Sequence, residues 1–355
     1  MSDDDVVLYA VRGRVGEVTL NRPRAINALD QPMVDSLLGR LEEWAQDDRI
    51  GAVFLRGAGD RGLCAGGDVR ALRQAVLEGR PEEAMQFWRT EYRLDAMIAT
   101  YPKPVVAWMD GITMGGGIGL AGHAQVRLAT ERSSVAMPET IIGFFPDVGG
   151  MHLLARAPGE LGTYAALTGL PVTGADAVAM GLADAVVGSD RQDTVLAALV
   201  TAVADGLHTG AKADLLARLL GGQIPPVPDS PLLHEQHWID ECYAGDDAAV
   251  ILQRLRERPE ARAREAAEAM AARSPHSVAV TLEALRRAAD LDVHEVLAQD
   301  YVLCRTFLHH PDFAEGVRAQ LVDKDRSPRW THGSVADVDR REVLAAFEAD
   351  ESSQA

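Results

Sequence analysis

A short apolar strand that runs into three consecutive glycines limits what this chain can fold into. Residues 105–109 (VVAWM) combine β-branched and aromatic side chains, as buried strands do, and glycines occupy positions 115–117. If a helix begins at residue 116, its first backbone N–H groups have no partner within the helix and lie at the positive end of its dipole. Such groups suit a phosphate or a developing oxyanion. A tight turn packed under a sheet would explain the same glycines equally well.

The first half of the chain alternates strand and helix patterns. Residues 6–20 indicate two short strands turned around glycines, and residues 51–57 (GAVFLRG) indicate a buried strand. Between them, Asp30 is predicted to cap a helix that has Pro32 in its first turn. A long amphipathic helix is predicted over residues 81–100. This alternation favours an α/β domain of packed sheet and helix layers over a helical bundle.

The character of the sequence changes near Gly188. Beyond it strand patterns vanish, and Ala, Leu, Arg and Glu dominate as far as Val322, with a Pro- and Gly-rich linker at 221–231. We therefore predict two domains. Residues 1–188 form the core, and residues 189–355 form a mainly helical C-terminal region.

The charge and the cysteine content limit which partners the protein can bind and which cellular compartment it can occupy. A formal net charge of −18 argues against nucleic acid, whose binding requires a basic surface. The opening residues, MSDDDVV, lack the features of a signal or transit peptide, and no run of about 18 apolar residues predicts a membrane helix. Cys64, Cys242 and Cys304 form no CxxC pair, which favours a reducing compartment. We therefore predict a cytoplasmic protein that binds neither nucleic acid nor membrane.

A second glycine-rich loop, GLCAGGD at 62–68, follows another apolar strand. Two loops with exposed N–H groups could converge on one carbonyl oxygen, which is what acyl-transfer chemistry needs. By itself this loop would be interpreted as an ordinary turn.

Two carboxylates, Glu139 and Asp147, interrupt an apolar, glycine-rich stretch, MPETIIGFFPDVGG at 137–150. Glu139 is either a solvated turn residue or an acid in a largely apolar pocket, where a raised pKa would suit general-base work. Asp147 could act beside it, or could cap a helix that begins near Val148. The residues alone leave these alternatives open.

Other patterns indicate weaker candidates. Gly117, Gly119 and Gly122 match the dinucleotide motif G-x-G-x-x-G, but the motif does not follow its strand directly, as the dinucleotide fold requires. Cys64 has no assignable histidine partner for nucleophilic catalysis.

The histidines favour no metal site. His234 and His237 share helical spacing without an acidic or cysteine cluster beside them. His309 and His310 are interpreted as a surface pair before Pro311. We therefore predict no metal.

Four motifs resemble the enoyl-CoA hydratase/isomerase, or crotonase, superfamily, and they follow in order along almost the whole chain. They are LNRPRAINAL (20–29), GLCAGGDV (62–69), MGGGIGL (114–120) and MPETIIGFFPDVGG (137–150). The resemblance implies a crotonase-like spiral of ββα units, continued by the helical C-terminal region, that binds acyl-CoA thioesters. It also implies that the N–H groups of Gly67 and Gly116 form an oxyanion hole, and that Arg24 binds CoA.

One departure from the hydratases of this superfamily bears on the reaction. Those hydratases carry two catalytic glutamates, one shortly after the glycine triplet and one after the later turn. In this chain the first position is Gly119 and the second is Glu139. Addition of water by a pair of glutamates is therefore disfavoured.

Three further stretches resemble 3-hydroxyisobutyryl-CoA hydrolases within the superfamily. They are RTEYRL (89–94), ARSPHSVAVT (272–281) and DFAEGVRAQLVDKDRSPRW (312–330). The resemblance implies hydrolysis of the thioester of 3-hydroxyisobutyryl-CoA, or of a related short 3-hydroxyacyl-CoA, in valine catabolism. It assigns catalysis to Glu139 and Asp147, and substrate binding to these two acids together with Glu91 and Gly116. The alternative is an enoyl-CoA hydratase or isomerase that acts on a short-chain acyl-CoA.

By the same resemblance, coenzyme A is part of the substrate and no separate cofactor is expected. Members of the superfamily form trimers or dimers of trimers. The resemblance implies a similar homo-oligomer, unless the long C-terminal helices cover the trimer face.

Overall fold

In a computed structural model, the described part of the chain comprises residues 5–206, 211–222, 226 and 228–348. Part of the predicted linker at 221–231 lies outside these residues. The chain divides into two compact units. Unit 1 consists of Met1–Asp68, Thr90–Ala136 and Pro171–His234, and unit 2 of Val69–Arg89, Met137–Leu170 and Glu235–Ala355. The prediction of a domain boundary at residue 188 stays a prediction.

Unit 1 holds the strands of the described residues, which form two sheets. Their bounds are β1 Val7–Arg12, β2 Val15–Leu20, β3 Ala52–Gly57, β4 Gly62–Cys64, β5 Val105–Met109, β6 Ile112–Met114, β7 Val126–Thr130, β8 Ser134–Ala136, β9 Val172–Thr173 and β10 Ala185–Val187. The larger sheet has the order β1-β2-β3-β5-β7-β10 and the smaller the order β4-β6-β8-β9. The pairs β1–β2 and β8–β9 are antiparallel and all other pairs are parallel.

The strand order confirms the predicted spiral. From β3 to β8 successive strands join the larger and the smaller sheet in turn, so each pair of strands contributes one member to each sheet. Helices separate the pairs, because parallel neighbours need a crossover connection. The carboxyl ends of these strands lead into the two glycine-rich loops.

The helices of the described residues lie between the strand pairs and throughout the chain after β10. Their bounds are α1 Gln31–Gln46, α2 Val69–Leu77, α3 Pro81–Ala99, α4 Gly116–Gly122, α5 Gly150–Leu154, α6 Leu161–Thr168, α7 Gly174–Ala179, α8 Gln192–Ala204, α9 Lys212–Leu219, α10 Pro231–His234, α11 Gln236–Tyr243, α12 Ala248–Glu257, α13 Ala261–Ala272, α14 Pro275–Ala288, α15 Val293–His309, α16 Pro311–Val317 and α17 Arg340–Ala345. The predicted mainly helical C-terminal region is therefore confirmed. None of the described helices combines the length and apolar character needed to cross a membrane.

The core of unit 1 lies between the larger sheet and two helices. Phe54, Val106 and Leu128 project from neighbouring strands, and Leu199 of α8 and Leu216 of α9 pack in the same cluster. Burial of each such side chain stabilises the folded state by about 1.5–3 kcal/mol relative to leaving it exposed to water. This packing fixes the strands whose ends carry the candidate site.

Local signals predicted several elements well. Helix α1 begins where expected, because a side-chain oxygen of Asp30 accepts the N–H of Met33 (3.0 Å) and Pro32 lies in the first turn. The strands over 7–20, the strand at 52–57 and α3 are confirmed as well.

Candidate active site

Three of the predicted site residues lie together in unit 1. A Cβ atom placed on Gly116 would lie 3.5 Å from the Gly67 nitrogen and 2.5 Å from Oε1 of Glu91. Glu91, on α3, is only 2% exposed. The two glycine loops and this acid are therefore immediate neighbours.

The backbone of Gly67 is held by a short bridge to Leu29. In this bridge the Leu29 N–H donates to the Gly66 carbonyl (2.9 Å), and the Asp68 N–H donates to the Leu29 carbonyl (2.7 Å). A parallel bridge of this kind does not use the N–H of Gly67 itself. That N–H is therefore available to a ligand while its loop is fixed on both sides.

The sequence left open whether the three glycines begin a helix or form a tightly packed turn, and the structure shows that they do both. Gly116 is the first residue of α4, so its N–H belongs to the unpaired first turn. Gly117 serves close packing, since a Cβ there would lie 2.7 Å from the Cys64 carbonyl oxygen of β4. Gly115 supplies the positive φ (+50°) of the turn before the helix. Gly117, the first glycine of the spacing that resembles a dinucleotide motif, is thus required by packing.

Asn27, which the sequence did not single out, organises the loop at 20–29. Its buried side-chain amide lies 3.1 Å from each of the carbonyl oxygens of Ala58, Gly62 and Leu63. Its side-chain oxygen accepts the N–H of Arg22 (2.9 Å). The first motif therefore holds its loop against the turn that leads to Gly67. The place of Asn27 inside the motif LNRPRAINAL is the signal that could have indicated this role.

Arg24 lies exposed in the same loop, in the 3-10 turn Pro23–Ala25. The Arg61 guanidinium donates to the Arg24 carbonyl (2.6 Å) and so fixes the backbone of this turn. Arg22 is committed to ion pairs with Asp30 (3.2 Å) and Asp68 (3.1 Å). Among the described residues, Arg24 enters no ion pair, which leaves its charge available to an anion.

Cys64 lies fully buried on β4. Burial raises the pKa of its thiol to about 12. The thiol therefore stays protonated at neutral pH and is not an activated nucleophile.

The two predicted catalytic acids lie in unit 2, and both are buried. Glu139 is 7% exposed and Asp147 is 6% exposed, so Glu139 is not a solvated turn residue. Glu139 opens the 3-10 helix Glu139–Ile142, which ends at Gly143 with φ +69°. The Phe144 N–H donates to the Glu139 carbonyl (3.0 Å) and closes this turn.

Aromatic side chains anchor the segment between the two acids. Phe144 stacks on Trp88 with ring centroids 5.2 Å apart, and lies 5.4 Å from Phe313. Phe145 lies 5.0 Å from Phe307. Each such pair stabilises the packing by about 0.5–1.5 kcal/mol beyond its buried area. Residues 139–147 are therefore a rigid support for their acids.

Two of the stretches that carry the resemblance pack against this same segment. A Cβ on Gly143 would overlap the carbonyl of Asp312, and one on Gly316 would overlap Ile142. The Ser274 hydroxyl donates to Asp312 (2.5 Å), which joins the stretches at 272–281 and 312–330. Their residues hold the acid-bearing segment in place, which gives a physical reason for their occurrence together.

Of the two alternatives that the sequence left open for Asp147, the structure excludes the helix cap. Helix α5 begins at Gly150, its N-cap residue is Gly149, and no side chain caps it. Val148 and Gly149 both have positive φ (+53° and +70°), so the chain turns sharply directly after Asp147. The side chain of Asp147 therefore serves another purpose than capping.

Asp300 is a buried acid that the sequence analysis missed. It lies on α15 with no exposed surface, and its Oδ2 accepts the Gly149 N–H (2.9 Å). Burial raises its pKa well above the usual range; the Gly149 hydrogen bond opposes this rise and the negative charge of Asp147 adds to it. The signal lay in the helical spacing, because Val296, Asp300, Leu303 and Phe307 share the buried face of α15.

The histidine predicted to lie at the surface is instead part of a cluster. The ring of His310 stacks on that of His276 with centroids 4.1 Å apart. Nδ1 of His276 lies 2.8 Å from a Glu342 oxygen, and Nε2 of His332 lies 3.2 Å from the other. Of the described residues, His276, His310 and Glu342 are the group whose atoms approach closely enough to consider a metal ion.

The positions of the histidine ring protons favour hydrogen bonds to Glu342 over a metal ion in this cluster. The Asp312 N–H donates to Nδ1 of His310 (3.3 Å), which places the ring proton on Nε2, the nitrogen that faces Glu342. A carboxylate only accepts, so His276 and His332 donate to it as well. The expectation of no metal stays a prediction.

Comparison with known proteins agrees with this fold. A model of the family described as enoyl-CoA hydratase/isomerase matches residues 15–347. The 3-hydroxyisobutyryl-CoA hydrolase, mitochondrial, of Danio rerio is 38% identical over 345 residues, which cover 96% of this chain and 89% of that protein. The protein of the same name from Homo sapiens is 35% identical over 355 residues, which cover 97% of this chain and 88% of that protein.

Solved structures agree over the same extent. A carnitinyl-CoA dehydratase from Mycobacterium thermoresistibile superposes with a TM-score of 0.89 at 46% identity, and an enoyl-CoA hydratase from Rhodobacter sphaeroides 2.4.1 with 0.88 at 38% identity. Each comparison covers 97% of both chains. The crotonase-like fold and the resemblance to 3-hydroxyisobutyryl-CoA hydrolases are thereby confirmed.

Proposed function

Since the chain belongs to the enoyl-CoA hydratase/isomerase family, we propose that it hydrolyses the thioester of 3-hydroxyisobutyryl-CoA, or of a related short 3-hydroxyacyl-CoA. The products are the free 3-hydroxy acid and CoA. The observation that carries the proposal is the pair of buried acids, Glu139 and Asp147, on one aromatic-anchored segment. Relatives that are 35–38% identical and bear the name 3-hydroxyisobutyryl-CoA hydrolase support it.

In the proposed reaction, the N–H groups of Gly67 and Gly116 donate to the thioester carbonyl oxygen and stabilise its negative charge as the carbonyl is attacked. Glu139 either removes a proton from the attacking water or attacks directly to form an acyl anhydride that water then opens. The C–S bond breaks, and the CoA thiolate takes up a proton. Asp147 and Glu91 accept hydrogen bonds from the substrate, including its 3-hydroxyl, and Asp147 orients the water.

The first test is release of thiol from 3-hydroxyisobutyryl-CoA, followed with a disulfide dye. We expect Glu139→Gln to lower kcat by roughly 10²–10⁴, the range for loss of a general base. Glu78→Gln, at an exposed acid in unit 2, is the matched control and should leave kcat unchanged. Full activity of the Glu139→Gln variant would move the chemistry to other residues.

Base and nucleophile roles of Glu139 give different isotope patterns. In heavy-oxygen water, direct attack by water places the label in the product acid on the first turnover. In the anhydride route, water that attacks the Glu139 carbonyl labels the Glu139 carboxylate, and the label then reaches the product only on later turnovers. Label in Glu139 after one turnover, measured by mass spectrometry of the protein, would establish the anhydride route.

A second candidate is an enoyl-CoA hydratase or isomerase. It is favoured by the names of two solved structures that superpose closely, a carnitinyl-CoA dehydratase and an enoyl-CoA hydratase. Against it stands Gly119, which carries no carboxylate where hydration by a glutamate pair needs one. Absence of thiol release, together with loss of the conjugated-thioester absorbance of crotonyl-CoA, would establish this candidate instead.

Binding of CoA is assigned to Arg24, because its charge lies exposed on a turn beside the Gly67 loop. Arg24→Ala should raise KM for the CoA thioester with little change in kcat. Arg14→Ala, at another exposed arginine of unit 1, is the control. An unchanged KM for the Arg24 variant would exclude this contact.

The biological setting belongs to the same proposal. Hydrolysis of 3-hydroxyisobutyryl-CoA would place the protein in valine catabolism, with no cofactor beyond the CoA of the substrate. The relatives' names include the word mitochondrial, whereas we predict a cytoplasmic protein, since its scattered cysteines favour a reducing compartment. Cell fractionation tests the compartment, and light scattering after size exclusion tests the proposed trimer or hexamer.

A further inference from the structure

Asp300 occupies an unusual place for an acid. Its side chain is completely buried in unit 2, and one oxygen, Oδ2, accepts the Gly149 N–H at 2.9 Å. The other oxygen, Oδ1, has no hydrogen-bond partner among the described residues. A buried ionised carboxylate is usually held by two or three N–H donors or by a cation. A neutral carboxylic acid, whose carbonyl oxygen accepts one N–H, fits these surroundings better.

The hydrogen bond from Gly149 is placed where it controls the orientation of Asp147. Val148, between the two, has a φ of +53°, a conformation that costs a β-branched residue roughly 1–3 kcal/mol and persists only when its surroundings impose it. The Gly149 N–H belongs to the peptide plane that follows Val148. Fixing this plane fixes the turn, and with it the direction in which the chain presents Asp147.

A second hydrogen bond anchors the turn on its other side. The Asp147 carbonyl accepts the Gly150 N–H (2.7 Å), and this bond closes the turn within the segment itself. The bond to Asp300 joins the turn to a helix 151 residues later in the chain. It therefore ties the turn around the strained Val148 to α15.

We propose that Asp300 is a positioning residue for Asp147: as a neutral acid it holds the Gly149 N–H, and so fixes the turn that carries Asp147 without placing a second negative charge beside it. This inference rests on the proposed function, because Asp147 acts on substrate only there. A carboxylate at position 300 would repel Asp147, whereas an apolar residue would release Gly149.

The groups around Asp300 leave Asp147 as the charge that acts on it. His152 on α5 interacts with Arg156 and Asp292. On α16, Asp312 is bound by Ser274 and Thr331. A titration of Asp300 would therefore be felt through Asp147 and the Gly149 amide.

Two substitutions of similar size separate this role from plain structural support. Asp300→Asn keeps an oxygen that can accept the Gly149 N–H and carries no charge, whereas Asp300→Leu removes the acceptor. We expect Asp300→Leu to lower kcat for thioester hydrolysis tenfold or more, with a smaller change in KM. The Asn variant should restore kcat to within about threefold of the unaltered enzyme. Asp290→Asn, at an exposed acid before α15, is the matched control.

The pH profile tests the neutral state directly. If Asp300 is neutral, Asp300→Asn leaves the acidic limb of kcat/KM unchanged. If Asp300 is ionised, the same variant removes a like charge beside Asp147, and the limb moves to lower pH. A shifted limb, or an Asn variant as impaired as the Leu variant, overturns the proposal.

Hydrogen exchange at the Gly149 amide gives a readout that does not require activity. We expect strong protection in the unaltered protein and in Asp300→Asn, and exchange at least tenfold faster in Asp300→Leu at equal global stability. Equal protection in all three overturns the proposal. A protein that protects Gly149 as expected but releases no thiol would instead overturn the proposed function and leave the hydrogen bond established.

Discussion

Substitution of Gly116 by alanine is the sharpest test of the glycine loops. The new methyl group would lie 2.5 Å from Oε1 of Glu91 and 3.1 Å from Leu29, where ordinary contacts begin near 3.4 Å. Either the helix start or the carboxylate must therefore move by about 1 Å, and a shift of that size within a site can lower a rate a hundredfold. Alanine keeps the backbone N–H, but a displacement that takes this N–H out of hydrogen-bond range has the same effect as losing one oxyanion donor, about 10²–10³ in kcat, or roughly 2.7–4 kcal/mol.

We therefore expect Gly116→Ala to lower kcat/KM for 3-hydroxyisobutyryl-CoA by about 10²–10³, measured by thiol release. The variant should stay folded, because the added methyl meets a side-chain end rather than the core of the sheet. Circular dichroism and thermal unfolding check this. Gly39→Ala on α1 is the matched control, since a methyl group there has no atom within 4 Å. It should keep full activity and gain about 0.5–1 kcal/mol of stability.

Retention of kcat/KM within about threefold of the unaltered enzyme would contradict this prediction. In that case the added methyl group would displace neither the Gly116 N–H nor Glu91 far enough to affect the reaction. A crystal structure of the variant would then show whether the turn relaxes without cost.

Three further predictions concern stability. Burial lowers the pKa of His276 to about 4, from a value near 6.5 in the unfolded chain. Between pH 6.5 and 4 only the unfolded chain binds this proton, so the melting temperature should fall as the pH decreases through this range. The fall should be smaller in the His276→Asn variant. Gly143→Ala should lower the free energy of unfolding in urea by roughly 2–3 kcal/mol, because φ is +69° and the methyl would overlap the Asp312 carbonyl; an unchanged midpoint would contradict the packing described. Asp184→Ala removes the carboxylate that pairs with the nearly buried Arg127 at an N–O distance of 2.6 Å. Calorimetry should show that the free energy of unfolding falls by about 3 kcal/mol, and an unchanged value would show that the ion pair does not stabilise the fold.

Several predictions that depend on local sequence signals are confirmed by the structure. The Asp30 cap, the apolar run at 105–109 and the helix start at Gly116 each depend on a few adjacent residues, and each is confirmed. The sequence left open whether Asp147 caps a helix. It does not, because two left-handed residues intervene, and a valine in that conformation is not expected from local preference.

By itself, the sequence determined the alternation of strands and helices, the glycines where backbone must approach backbone, and the motifs that resemble the family. Only the tertiary structure decided which polar residues are buried and which neighbours bury them. Gly149 contacts Asp300, which lies 151 residues later in the chain, and His310, between α15 and α16, stacks on His276 of α14. Burial and charge state depend on neighbours that packing brings together, and a linear pattern does not contain those neighbours. The glycine triplet marked a site from its residues alone, but the acid that steadies Asp147 required the fold.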